Sequence, residues 1–135
     1  MTVRVFHNKN LEKQLSSHGY DIADLKADFK QYKETGSLPS TFGRDVEYDH
    51  PYTPRAVLQE KISHIHLRDS KKPWNIRAVQ FHKKSDIHLI YCRGFYDEDC
   101  YLLMALLAPN AHEQALDSNI MNNLVRMAEI FRNKY

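Results

Sequence analysis

Two histidines two residues apart, His64 and His66 in the stretch "KISHIHLRD" (61–69), are the first feature with chemical content. Their apolar neighbours Ile62, Ile65 and Leu67 give residues 62–68 the alternation of a β-strand. Successive strand side chains point to opposite faces. His64, His66 and Arg68 therefore share one face, and Ile65 and Leu67 take the other. A third imidazole, His88, opens a second strand-like run, "DIHLIYCRG" (86–94). If the two strands pair, three imidazoles and a guanidinium converge. Imidazole changes protonation near neutral pH and so carries protons as base or acid. Neutral imidazoles on one strand face also suit zinc, with Asp86 or Asp45 as a further ligand, although no HExxH or other standard ligand spacing is present. The plain alternative is that each histidine is a surface or hydrogen-bonded strand residue with no chemistry.

The elements that must position these residues follow from periodicity and punctuation. Val3 to Phe6 is a short apolar run that reads as an N-terminal strand, and residues 9–17, with Leu11 and Leu15 four apart, as a short helix. A longer helix starts at Asp21, a plausible N-cap with Asp24 three residues on. It carries Ile22, Leu25, Phe29 and Tyr32 at helical spacing and stops at Gly36. Residues 37–54, "SLPSTFGRDVEYDHPYTP", read as a long loop, and loops of that length are often functional or tightly tied down. Residues 56–61 fit either helix or strand. The polar, basic segment 69–86 reads as an exposed excursion. "DCYLLMALLAP" (99–109) is a strand apolar on both faces, hence central in its sheet, joined to the preceding strand by a hairpin at 94–99. Asp117 or Ser118 caps a last helix with the stripe Ile120, Leu124, Met127, Ala128 and Phe131. The order predicts one α+β domain over residues 1–135. Its antiparallel sheet has about four strands, with two N-terminal helices and a C-terminal helix packed on one face.

The composition bounds the function. The chain has 135 residues, 42% hydrophobic and 27% charged, with a formal net charge of +2. That is an ordinary globular balance. It permits nucleic-acid binding through a local patch without demanding it. The opening "MTVRVFHNKN" has no apolar core of a signal peptide, and the longest apolar run, Cys100 to Ala108, is too short to span a bilayer. A cytoplasmic location follows, with Cys92 and Cys100 expected as free thiols facing each other across the hairpin.

Several stretches resemble the YafO family of bacterial toxins: "FGRD" (42–45), "HIHL" (64–67), "HLIYCRG" (88–94), "NAHEQALDSN" (110–119) and "MAEIFRNKY" (127–135). They fall in the family's order and spacing. The resemblance covers roughly Leu38 to the C-terminus and extends more loosely over the N-terminal helices. It implies a RelE-like fold and the toxin of a type II toxin–antitoxin pair. It also implies an mRNA interferase that cuts translated mRNA on the ribosome and is restrained by a cognate antitoxin.

An endoribonuclease of that kind needs no metal. The RNA's 2′-hydroxyl is the nucleophile, and the protein supplies a base, an acid and cations for the phosphorane. The candidate catalytic set is His64, His66, His88 and, after the last strand where similar RelE-type toxins place a basic residue, His112; which is base and which acid stays open. Arg68, Lys71, Lys72, Lys83, Lys84 and Arg93 are candidates for the phosphodiester track, and Trp74, Phe81 or Tyr91 for stacking a base. Turn chemistry favours a structural role for Arg44 and Asp45, through an internal salt bridge or an Asx turn that pins the long loop. His7, His18, His50 and His82 carry no spacing signal and read as surface residues. The competing function is a non-enzymatic toxin of similar fold that binds and poisons a protein target such as DNA gyrase.

Overall fold

The computed structural model describes residues 2–75 and 77–135. The chain runs β1 (Arg4–His7), α1 (Leu11–Ser17), α2 (Ile22–Thr35), β2 (Phe42–Glu47), α3 (Arg55–Gln59), β3 (Ser63–Leu67), β4 (His88–Arg93), β5 (Cys100–Leu107), α4 (Ala111–Gln114) and α5 (Ser118–Lys134), with a 3-10 turn at Gln80–His82. The strands form one five-stranded sheet in the order β1-β5-β4-β3-β2. Its neighbours are antiparallel except for β1 and β5, which run parallel. The fold is thus α+β, with a mixed five-stranded sheet in place of an antiparallel sheet of about four strands.

Local chemistry sets the helix ends. The Asp21 carboxylate accepts the Asp24 N–H at the start of α2, and Gly36 closes that helix in the left-handed conformation (φ 76°) that glycine adopts without strain. The Asp117 carboxylate accepts from the N–H groups of Asn119 and Ile120 at the start of α5.

Helices cover both faces of the sheet, not one. Leu11, Leu15, Leu25 and Phe29 of α1 and α2 pack on one face against Phe42, Ile65, Leu67, Leu89 and Leu103. Met121, Leu124, Val125, Ala128 and Phe131 of α5 pack on the other against Ile62, Ile90, Cys92, Leu102 and Met104. The physical reason is β5: all eight of its residues are buried, so a single helical layer would leave half of its apolar surface in water.

Two segments read as loop have more structure. Residues 42–47 form β2, the edge strand beside β3. Residues 80–83 fold back over that edge: Arg44 N–H donates to the Lys83 carbonyl (2.9 Å) and the Gln80 side-chain amide to the Gly43 carbonyl (3.0 Å). Gly43 permits this approach, since a Cβ there would collide with the Lys83 carbonyl and sit 2.8 Å from the Trp74 ring. The covered edge is closed to stray strand pairing. The two cysteines are free and buried, but they do not face each other: Cys92 pairs with Leu102. Among the described residues no helix is long and apolar enough to cross a membrane.

Candidate active site

β3 and β4 pair antiparallel with His66 directly opposite His88 and His64 opposite Ile90. Alternation puts Ile65 and Leu67 into the core beneath α1 and α2. The histidines take the other face, at the end of the sheet where α5 leaves it uncovered. Ring centroids lie 4.4 Å apart for His66–His88 and His64–His88, and 5.2 Å for His64–His66. All three rings are buried, with 7%, 8% and 2% of the surface of His64, His66 and His88 exposed.

The cluster lines a cavity of about 440 Å³. Tyr48 forms one wall, its ring stacked on His64 (4.0 Å between centroids, 13° between planes) and its hydroxyl 3.0 Å from His88 Nδ1. The polar lining also includes Arg44, Lys84, Ser85, Asp86 and His112, with Glu47, Asp49, His50 and Thr53 on the Tyr48 side, and Val46, Ala115 and Leu116 form the apolar wall. The Ser85 backbone grips His66 Nδ1 from two sides, its N–H at 2.8 Å and its carbonyl oxygen at 2.9 Å. The ring therefore has a donor for its unprotonated Nδ1 and an acceptor for its protonated Nδ1. Three buried nitrogens in the site have no hydrogen-bond partner: His64 Nδ1, His88 Nε2 and Arg44 Nε.

Burial and crowding by like charge hold the imidazoles neutral. Desolvation, then the His66 ring and the Arg44 guanidinium, lower His64 to about 3. Desolvation, then His64 and His66, lower His88 to about 2. His66 is also lowered, chiefly by burial, with its contact to Ser85 opposing the shift. Burial pushes the Tyr48 hydroxyl far above its ordinary value, so it stays a neutral hydroxyl that can donate to or accept from His88 Nδ1 according to the ring's tautomer.

The "FGRD" segment divides between the two faces. A bulge between Phe42 and Asp45 inserts one residue against β3. Arg44 enters the histidine cavity with its guanidinium 3.9 Å over the Phe81 ring. Asp45 turns to the opposite face, where it accepts from Tyr32 (2.8 Å), Tyr91 (2.6 Å) and Lys33 (3.2 Å). The structural expectation therefore describes Asp45, whereas Arg44 is a cavity residue, as is Tyr48. No spacing in the sequence singles out Tyr48. The only signal was the length of the segment holding it.

The basic candidates fall in three places. Lys84 lines the histidine cavity. Arg68, Lys71 and Lys72 line a neighbouring cleft of about 710 Å³ that shares Lys84, Ser85 and Asp86 with it. Arg68 does not continue the face of His64 and His66, because β3 ends at Leu67 and its side chain lies exposed beyond it. Lys83 is half-buried and serves through its carbonyl. Arg93 sits at the far end of β4, in a separate cleft with Lys33, Lys61 and Arg132. Among the aromatic candidates, Tyr91 is buried on the wrong face, bonded to Asp45, and Phe81 lies under Arg44. Of the remaining histidines, His50 is exposed at the cavity rim. Asp45 is too far round the sheet to join a metal with the three imidazoles, whose candidate ligand atoms lie within 4.8 Å of one another.

The profile of the family described as "Toxin YafO, type II toxin-antitoxin system" matches residues 30–133. The mRNA interferase toxin YafO of Escherichia coli (strain K12) is 40% identical over 134 residues, covering 98% of this chain and 100% of that protein. No solved structure matches. The chain belongs to the YafO family of type II toxin–antitoxin toxins.

Proposed function

We propose that this chain is an endoribonuclease toxin that cuts translated mRNA on the ribosome, uses no metal for the chemistry, acts in the cytoplasm as one toxin domain over residues 1–135 and is neutralised by a cognate antitoxin. Support comes from the name of the Escherichia coli relative, an mRNA interferase, and from the family description, which implies an antitoxin. The observation that carries the site is the convergence of His64, His66, His88, His112, Arg44 and Lys84 on one cavity.

The RNA supplies the nucleophile. His66, with its Nδ1–H held by the Ser85 carbonyl, takes the 2′-hydroxyl proton at Nε2 as the 2′-oxygen bonds to phosphorus. Arg44 and Lys84 offset the charge gathering on the phosphorane oxygens. The bond to the 5′-oxygen breaks, and protonated His112 gives that oxygen its proton. The products are a 2′,3′-cyclic phosphate and a 5′-hydroxyl. His64 and His88 pack beside His66 and keep the site neutral and dry. The strand leaves the cavity past Lys84 into the cleft of Arg68, Lys71 and Lys72, whose cations track its phosphates. Lys83 holds the covering segment in place, and Arg93 lies outside this track.

Two features of the site support ribosome dependence. The reacting nitrogens are nearly closed off, and nothing in the cavity orients a flexible strand for in-line attack. A ribosome that fixes the mRNA supplies that geometry.

Primer extension on mRNA in translating extracts tests the reading. Cuts made by the parent chain and absent for folded His66→Ala, with Arg44→Ala strongly impaired, are expected. Cleavage undiminished in both variants would remove the site. Growth arrest without any mRNA cuts would point to a protein target such as gyrase.

A further inference from the structure

The same three imidazoles have a property that proton transfer leaves unused. His64 Nδ1 and His88 Nε2 are buried polar atoms without partners, on side chains 7% and 2% exposed. Leaving a buried polar group without a partner is costly, so such atoms point to a missing ligand. Both rings belong to the cluster with His66, in which one nitrogen from each ring falls within 4.8 Å of the others. We propose that His64, His66 and His88 form a three-histidine site for a divalent transition ion, zinc by its ligand preference, and that occupancy blocks the cavity.

The groups behind the ligands favour this. A ligating histidine usually donates its second ring N–H to an oxygen, which fixes the tautomer and aims the other nitrogen at the ion. His66 has the Ser85 carbonyl at 2.9 Å from Nδ1, and His88 has the Tyr48 hydroxyl at 3.0 Å from Nδ1. Both rings can thus present Nε2 to the cluster, and His64 brings its unpartnered Nδ1. Zinc bonds nitrogen at about 2.0–2.1 Å, so three ligands sit roughly 3.4 Å apart around a tetrahedral ion. The rings must close by about an ångström, within reach of small side-chain rotations. The fourth position faces the cavity and takes water. Neutral imidazoles with no carboxylate among them suit zinc and its neighbours over magnesium or calcium, which demand oxygen.

Binding of zinc does not depend on the endoribonuclease reading; its blocking effect does. In that reading His66 accepts a proton at Nε2, and an ion on that lone pair removes the base.

Chelator-treated full-length protein is titrated with zinc by calorimetry and with cobalt(II) by visible absorption. One ion per chain, at micromolar affinity or tighter, with the intense visible bands of tetrahedral cobalt, is expected. His64→Gln and His88→Gln should each abolish the bands while circular dichroism stays that of the parent. Tyr48→Phe, which removes only the oxygen behind His88, should weaken binding about tenfold. If the histidine variants fail to fold, Tyr48→Phe and the histidine ¹⁵N shifts of the parent chain on zinc addition decide alone. No saturable binding, octahedral cobalt bands, or binding indifferent to both the histidine and the Tyr48 changes would overturn the site. Messenger RNA cleavage by the parent should fall on zinc loading and return with chelator, and stimulation by zinc would overturn the blocking role. Zinc binding without any cleavage in either state would leave the ion site standing and sink the endoribonuclease reading instead.

Discussion

Neighbouring residues Arg44 and Asp45 face opposite sides of the sheet, and replacing each by alanine should separate activity from stability. The Asp45 side chain is 11% exposed and accepts from two tyrosine hydroxyls and the Lys33 ammonium. Alanine leaves the donors of Tyr91 and Tyr32 without an acceptor. Lys33 keeps the Tyr91 oxygen at 3.1 Å but loses its counter-charge. Tyr91 is buried and Tyr32 half-buried, so the first loss counts in full and the second in part. Breaking a buried pair and stranding its partners costs about 3–5 kcal/mol. At about 2.1 cal/mol/K per residue, a chain of 135 residues has an unfolding entropy near 0.28 kcal/mol/K, which makes the drop in Tm roughly 10–18 °C. Arg44→Ala removes a guanidinium from the Phe81 ring and relieves an unpartnered buried nitrogen, while the backbone bond to Lys83 persists. Its cost is about 1 kcal/mol or less, a few degrees. Urea unfolding followed by tyrosine and tryptophan fluorescence gives both values, and primer extension gives cleavage. Arg44→Ala should be nearly as stable as the parent and inactive; Asp45→Ala should be far less stable, with cleavage retained well below its own Tm. The reasoning fails if Asp45→Ala unfolds within about 1 kcal/mol of the parent, or if Arg44→Ala destabilises as much as Asp45→Ala.

Three further outcomes are expected. Gly43→Ala should cost about 1–3 kcal/mol and loosen residues 74–83 from the sheet edge, because its Cβ meets the Lys83 carbonyl; hydrogen exchange at the Arg44 amide measures this, and unchanged protection would contradict it. Replacing Lys71, Lys72 and Lys84 by alanine should weaken binding to a single-stranded RNA and flatten its salt dependence, whereas Arg93→Ala should leave the salt slope unchanged; equal effects would remove the proposed track. The Glu34 carboxyl is held below its ordinary value, first by the Val3 N–H and then by Lys30. A carboxyl with a lowered folded pKa adds stability above its unfolded value and loses it as pH falls through the folded one. Acid unfolding of the parent should therefore be steeper below the ordinary glutamate range than that of Glu34→Gln, and superimposable acid limbs would refute this.

Alternation and capping carried the sequence reading furthest. The shared face of His64 and His66, the opposite burial of Ile65 and Leu67, the pairing with His88 and the ends of α2 and α5 all depend on short-range geometry. The misses depend on longer-range facts. Phe42–Glu47 looked like loop because glycine and two charges interrupt it. They are tolerated because Gly43 admits the covering segment, Arg44 opens to a cavity and Asp45 finds partners from α2 and β4. Four residues of β1 gave no sign of parallel pairing with β5, nor of a helical layer on each face. Arg68 and Arg93 show the limit of facing arguments: alternation tells which side a residue takes, not where the strand ends or how far along it the chemistry lies.

The parallel pairing of β1 with β5 also fixes an order of events in synthesis. Arg4 meets Cys100 across 96 positions, and the side chains of α1 and α2 pack against β5 and β4. The first third of the chain, with Leu11, Leu15, Leu25 and Phe29, therefore finds only part of its sheet, at Phe42, Ile65, Leu67 and Leu89, until Tyr101, Leu103 and Leu106 of β5 have emerged. Nascent fragments that stop before Cys100 keep part of that apolar surface in water and lack β5 beside β4. The histidine strands β3 and β4 are made earlier, with β2 already beside β3, but β4 gains its second neighbour only with β5. The sheet that carries the histidine cavity is thus complete only once β5 has been made.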